Sequence, residues 1–398
     1  MGKIRIWIQE RYGTIINSIA FYPAFIALMF LILSTLVISF DFSETGKHLK
    51  SQLHWLSLKD ASTARSIISS IVAGVISLAV FSFSMVMIVL NQAASQMSNR
   101  VLDKLIGNSF QQIVLGIYIG TIVYALFLLS TIRDIDSGIY IPALSTYLLI
   151  LITIIDIFLF IYFLHYITQS VKYEVIIARI FKETSASLEK SCELKGNQTA
   201  HSKTSTTYII ASKKSGIYER FDPQVLLRLC SENDCVVTIM HTPGTFVLKG
   251  LPVMSVSKQL SEDVQDHLLE QLYFPTSESI GGNFFYGLRQ LTEVAVKALS
   301  PGINDPGTAI VSLRALFQLY AYRACYYPET VLFDKNNKER IIITEPGFEI
   351  IFSSTILPIW DYGKNDRMIQ QEMRHLLTQL QATSGHAVIN KLLQDVNR

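Results

Sequence analysis

A row of hydrophilic positions inside one long apolar run carries the most specific chemical pattern in this sequence. Ser70, Ser77, Ser84 and Asn91 fall seven residues apart within SIISSIVAGVISLAVFSFSMVMIVLN (66–91), with Ser66 and Gly74 on the same side. A seven-residue step returns to nearly the same face of an α-helix, so the segment presents one narrow polar stripe on an apolar cylinder. Small side chains there let a neighbouring helix approach and exchange hydrogen bonds. The same hydroxyls can wet a path through a bilayer, and being neutral they would pass ions without strong selection by charge. The residues leave both readings open. Asp156 is the second candidate, central in a later apolar run and close to Thr153. An acid at that depth is either a hydrogen-bonded structural group or an ion or proton site. His165 is nine residues further on, off the face that carries Asp156, so a joint metal site is not expected.

A third group lies in the stretch SPGINDPGTA, which contains Pro301, Gly302, Asn304, Asp305 and Pro306. Asn and Asp beside Pro form turns and cap helices, and they can also bind a cation or a phosphate. An enzyme site would be assembled from Asn304, Asp305, His241 and Arg289. The chain has no serine elbow, paired-carboxylate helix pattern or His-Glu-x-x-His motif. The turn Thr242 to Thr245 lacks the glycine spacing and the Lys-Ser/Thr ending of a phosphate loop. No catalytic residue, cofactor or metal ligand is therefore assigned. Cys192, Cys230, Cys235 and Cys325 match no zinc or redox spacing and read as reduced thiols in a cytoplasmic domain.

The elements that position these groups are of two kinds. Half of the 398 residues are hydrophobic and only 17% are charged, below the usual quarter, which fits a membrane protein with an additional polar domain. The net charge of +2 does not point to nucleic acid as a partner. Apolar runs predict transmembrane helices at about 15–40, 66–90, 113–132 and 142–166, the third containing Gly116 and Gly120. The fold class expected is an α-helical integral membrane domain of four transmembrane helices (1–170) followed by a cytoplasmic α+β region. The latter divides into a helix and linker (171–211), a small β-containing domain (212–258) and a mainly helical domain (259–398). Lys3, Arg5 and Arg11, then Arg100 and Lys104, then Lys172, Arg179 and Lys182 place both termini in the cytoplasm. The loop from Asp41 to Arg65, with Lys47, Lys50 and Lys59, opposes that orientation. The stretch 92–112 reads as an elbow outside the bilayer core, and CVVTIMHTPGTFVLKGLPVMSV as two strands joined by His-Thr-Pro-Gly. IIIT and the region of EIIFSSTI read as further strands. The SPGINDPGTA stretch reads as a tight turn between two helices.

The pieces SQMSNRVLDK, GIYIGTIVYALF, FLHYITQSV and FYGLRQLTEVAVKALSPGINDPGTAI resemble a bacterial family of predicted membrane proteins, domain of unknown function 2254. The resemblance covers nearly the whole chain, and ALSPGINDPGTA is its most specific element. It implies N-terminal membrane spans and a soluble C-terminal region, and no established chemistry. Two departures stand out. Gly282-Asn283 replaces an acidic residue before the FGLRQL-like helix, and Asn99 stands where the family tends to have proline.

Three functional classes remain on these observations. One is a homo-oligomeric bacterial inner-membrane protein forming an ion channel or small-solute pore, with lipid, ions and its own copies as partners. The second is a membrane-anchored sensory or scaffold protein with the same spans and a dry interior. The third is a membrane-bound enzyme using the Asn304/Asp305 region.

Overall fold

The computed structural model describes residues 20–46, 48, 60–96, 109–135, 138–140, 142–170, 172–195, 208–274 and 280–398. Lys3, Arg5, Arg11, Lys47, Lys50, Lys59, Asn99, Arg100 and Lys104, and most of the Ser/Thr-rich linker, lie outside them. The chain forms two compact units that meet in sequence at Lys172–Tyr173.

Among the described residues of the first unit, four helices are long and apolar enough to cross a membrane. They are α1 (Phe21–Phe42), α2 (Ala61–Gln96), α3 (Ser109–Thr131) and α4 (Ala143–Ser170). Each exceeds the roughly 20 residues that a bilayer core requires. Helix α2 begins before the apolar run because Asp60 accepts from Ser62 N (3.2 Å) and Thr63 N (2.9 Å), capping the first turn. It also runs on through QAASQ, part of the expected elbow, since none of those residues breaks a helix. The polar turn after α3 is a short antiparallel hairpin pairing Arg133–Ile135 with Gly138–Tyr140.

Packing inside this unit depends on the two glycines of α3. A Cβ on Gly116 would lie 2.7 Å from Ile26 Cδ1, and one on Gly120 would lie 2.7 Å from the Phe30 ring. The small-xxx-small pair thus lets α1 and α3 lie against each other. Asp41 does not belong to an extramembrane loop. It sits in the last turn of α1, fully buried, where its carboxylate accepts from Ser145 N (2.9 Å) and Ser145 Oγ (3.1 Å). Pro142 precedes α4 and has no side-chain acceptor, so a residue 104 positions away supplies the helix cap. Tyr124 of α3 donates to Ser145 O (3.2 Å) and ties a third helix to the same corner.

The second unit contains α5 (Tyr173–Ser191), α6 (Pro223–Glu232), α7 (Glu262–Glu270), α8 (Phe284–Ala298), α9 (Pro306–Arg323), α10 (Phe348–Gly363), α11 (Arg367–Thr383) and α12 (Ala387–Val396). A mixed five-stranded sheet runs in the order Val331–Phe333, Glu339–Ile343, Val237–Ile239, Pro252–Val256, Tyr208–Ala211. Its one parallel pair joins Glu339–Ile343 to Val237–Ile239. The sheet therefore draws strands from both sides of residue 258. Val237, Ile239, Val253, Met254 and Ile341 are buried in its core, packed with Leu226 and Cys230 of α6 and Leu268 of α7.

His-Thr-Pro-Gly does join two strands, Val237–Ile239 and Thr245–Val247, but they lie in different sheets: Thr245–Val247 leaves to pair with Gly216–Tyr218, and Pro252–Val256 returns beside Val237–Ile239. Gly244, at φ +92°, makes that departure possible. One local expectation is corrected: EIIFSSTI is helix, not strand. Phe348, Ile351, Phe352, Thr355, Ile356 and Ile359 of α10 are buried at three- and four-residue spacing, and the burial this face gains outweighs the β-preference of the isoleucines.

Candidate intramembrane site

Helix α2 turns its stripe outward. Ser66, Ser70, Gly74, Ser77, Ser84 and Asn91 are all exposed, whereas Ala64, Ile68, Val75 and Ser82 of the same helix are buried. Ser77 Oγ donates to Ala73 O (2.9 Å), and a Cβ on Gly74 would meet nothing within 4 Å. Packing among the described residues of the unit does not require small side chains along this face.

The polar group that faces inward is different. Asp156 follows Leu149 and precedes Phe163 and Ser170 at seven-residue steps along the buried face of α4, 13 residues from the start of the helix. At 1.5 Å per residue that places it about 20 Å along a 28-residue helix, near mid-bilayer. It is fully buried, and among the described residues neither carboxylate oxygen has a hydrogen-bond partner. Thr121 of α3 stands beside it but donates to Ile117 O (3.0 Å) instead. Tyr118, one turn earlier on α3, lies within electrostatic reach of Asp156 and beside Ser82 of α2. Apart from each other, the buried Tyr118 hydroxyl and Ser82 Oγ have no partner among the described residues. Ser82 and Gln112, whose Oε1 is buried and unpartnered as well, line a cavity of 120 Å³ walled by Phe83, Val86, Val114 and Phe163. Asp156, Tyr118, Ser82 and Gln112 thus mark a run of unsatisfied polar atoms through an apolar bundle. Thr153 takes no part, since its hydroxyl donates to Leu149 O (2.8 Å), and His165 is exposed.

Asp156 stood out in the sequence because it is a charge in an apolar run. Ser82, Tyr118, Thr121 and Gln112 did not: each is ordinary for a transmembrane helix, and only the packing of three helices brings them together.

In the second unit the SPGINDPGTA stretch forms the turn between α8 and α9. Asp305 caps α9, accepting from Thr308 N (3.1 Å) and Thr308 Oγ1 (2.6 Å), and Pro306 supplies the first helical residue. Asn304 adopts a left-handed φ of +49°, which asparagine tolerates well. Asp305→Ala is expected to lower stability by about 0.5–2 kcal/mol, read as a shift in a denaturant midpoint, and to leave metal content unchanged. His241 Nε2 is bonded to Pro252 O (2.7 Å) and Arg289 is paired with Glu293 (3.7 Å), so these two groups, like Asp305, are engaged by local partners of their own. Among the described residues no three His, Cys, Asp or Glu side chains are gathered as a metal site needs. The fold does bring Cys230 and Cys235 thiols side by side, a contact their sequence spacing did not announce.

A cleft of 420 Å³ opens in the same unit between the end of α5, the start of α8 and the strand edge, with Lys190, Glu193, Asn283, Glu329 and Glu345 on its walls. Burial pushes the Glu345 carboxyl up to about 7, and the Arg323 guanidinium offsets part of that rise. Arg323 is itself buried at the end of α9, over the Tyr327 ring.

Comparison with known proteins agrees with this architecture. Uncharacterized proteins Rv1290c of Mycobacterium tuberculosis and Mb1321c of Mycobacterium bovis are each 23% identical to the chain over 330 residues, 79% of this chain and 63% of theirs. The chain thus spans less than two thirds of the length of these relatives. No solved structure matches it. The profile of a family described as predicted membrane protein (DUF2254) matches residues 16–379, which takes in all four spans and nearly all of the second unit. The chain belongs to that family and is a multi-pass protein of the bacterial inner membrane.

Proposed function

We propose that this protein is a homo-oligomer that passes small ions across the inner membrane, its subunits meeting along the stripe of α2 and its second unit serving as a cytoplasmic regulatory domain. The observation that carries the reading is the outward placement of Ser70, Gly74, Ser77, Ser84 and Asn91 on a helix whose other face is buried. Lipid gives no reason for hydroxyls and a glycine in register there, whereas a second copy of the helix does. Four spans are few for a monomeric conductor and enough when subunits share the task. Both termini are assigned to the cytoplasm on the basic residues that flank the spans.

The test is mass in mild detergent together with ion flux from liposomes, for wild type and Ser77→Leu. Wild type should give a multiple of 44.9 kDa. Leucine at Ser77 meets no packing inside its own subunit, so the subunit should fold while self-association weakens at least about tenfold, or 1.4 kcal/mol. Loss of flux with assembly intact would instead make the stripe the wall of the path. A monomeric wild type that passes no ions would leave the sensory or scaffold class.

A further inference from the structure

We infer that Asp156 is a proton-binding site, loaded from the Gln112 side of the bundle through the Ser82 and Tyr118 hydroxyls. Its use in ion passage rests on the reading above; the binding itself rests on the geometry of the bundle. Asp156 is fully buried near mid-bilayer with both oxygens unpartnered among the described residues. An ionised carboxylate in that setting would need a counter-charge, and the described residues of α2 and α3 offer it none. The groups around it, Thr121 and Tyr118, with Ser82 beyond Tyr118, are hydroxyls and bring no positive charge. The acid of α1, Asp41, is engaged by Ser145 11 residues away along α4, about 16 Å by helical rise. Taking up a proton removes the charge and supplies an O–H donor, which satisfies the site at no cost in counter-ions.

The donor set also argues against a metal cation. Sodium-like ions seek five or more oxygens, and transporters commonly free backbone carbonyls by unwinding a helix at the site. Here α4 is continuous from Ala143 to Ser170, and α3 from Ser109 to Thr131. One carboxylate and two or three hydroxyls suit a proton better. The cavity is walled mostly by apolar side chains, and Ser82 and Gln112 are polar groups on its wall at which a water can be held. From there each hydroxyl takes one proton as it passes on its own, and the last reaches a carboxylate oxygen of Asp156. Atoms and charge balance: one water-borne proton is consumed and one carboxylate becomes a carboxylic acid.

The experiment uses full-length protein in liposomes and N,N′-dicyclohexylcarbodiimide, an apolar reagent that reacts with protonated carboxyls, with modification of Asp156 followed by mass spectrometry. Labelling should be strong at low pH and fall at least tenfold as pH rises. Sodium or potassium at fixed pH should not protect. A parallel infrared titration of the same liposomes should show a protonated-carboxyl band that Asp156→Asn removes, with oligomer mass unchanged. Protection by sodium or potassium would overturn the assignment in favour of a metal cation. Absence of a titrating carboxyl band in folded wild type would overturn it outright. Normal labelling and infrared behaviour with no proton flux would retain the site and remove the ion-passing function. Tyr118→Phe should keep the band and slow its response to a pH jump; an unchanged rate would remove Tyr118 from the route.

Discussion

Gly287→Ala is expected to destabilise the second unit by about 2–3 kcal/mol, although alanine is by itself the better helix former. Gly287 is buried in α8 at its crossing with α5, and the added Cβ would fall on the Thr184 side chain, onto Oγ1 and close to Cβ and Cγ2. Thr184 cannot swing aside freely, because its hydroxyl is bonded to Ile180 O (2.5 Å) and its surroundings are closed. One or both helices must shift, and α8 also packs on α9 and α10, so the strain reaches the centre of the unit. Denaturant midpoints for Gly287→Ala, Thr184→Ala and the double variant test this. Thr184→Ala removes two of the three overlapping atoms, so the double variant should recover about 1 kcal/mol or more relative to additivity. Additive effects would show that the two helices do not meet there as described.

The second large effect is a dependence of stability on pH set by Glu345. Its carboxyl has an ordinary value of 4.5 and is raised to about 7 in the folded unit by burial, with Arg323 pulling weakly the other way. The folded state therefore holds this proton more tightly than the unfolded chain. The contribution is fully present below about pH 4.5, where both states are protonated, and is lost as pH rises through about 7. Its size is on the order of 3 kcal/mol. Wild type should thus show a falling apparent Tm across this window, and Glu345→Gln, which keeps shape and removes the charge, should flatten it. A variant with the same slope as wild type would place the titrating group elsewhere. Because Glu345 lines the 420 Å³ cleft, a molecule bound there would meet a neutral acid below about 7 and an anion above it.

Much of this protein is decided by local sequence. Apolar runs longer than a bilayer core can only become spans, because unpaired backbone groups are intolerable in lipid; all four appear in the structure, displaced by a few residues where Asp60 starts α2 and QAASQ prolongs it. Asp305-Pro306 starts a helix for a reason contained in two adjacent residues, a short-range carboxylate and a fixed φ. The stripe of α2 was legible as a period, and Asp156 as a charge out of place.

Tertiary structure alone decided the rest. Whether a stripe faces inward or outward depends on which neighbours a helix acquires, and the period of seven is the same either way. Asp41 reads as the start of a loop until Ser145, far along the chain, presents the free N–H groups of α4 to it. EIIFSSTI favours a strand by its residues and becomes a helix because Tyr320, Phe317 and the α10 aromatics bury a face of helical period. Ser82, Tyr118, Thr121 and Gln112 carry no signal singly. They become a site only because α2, α3 and α4 close around Asp156 and leave its carboxylate, at bilayer depth, without a hydrogen-bonding partner among the described residues.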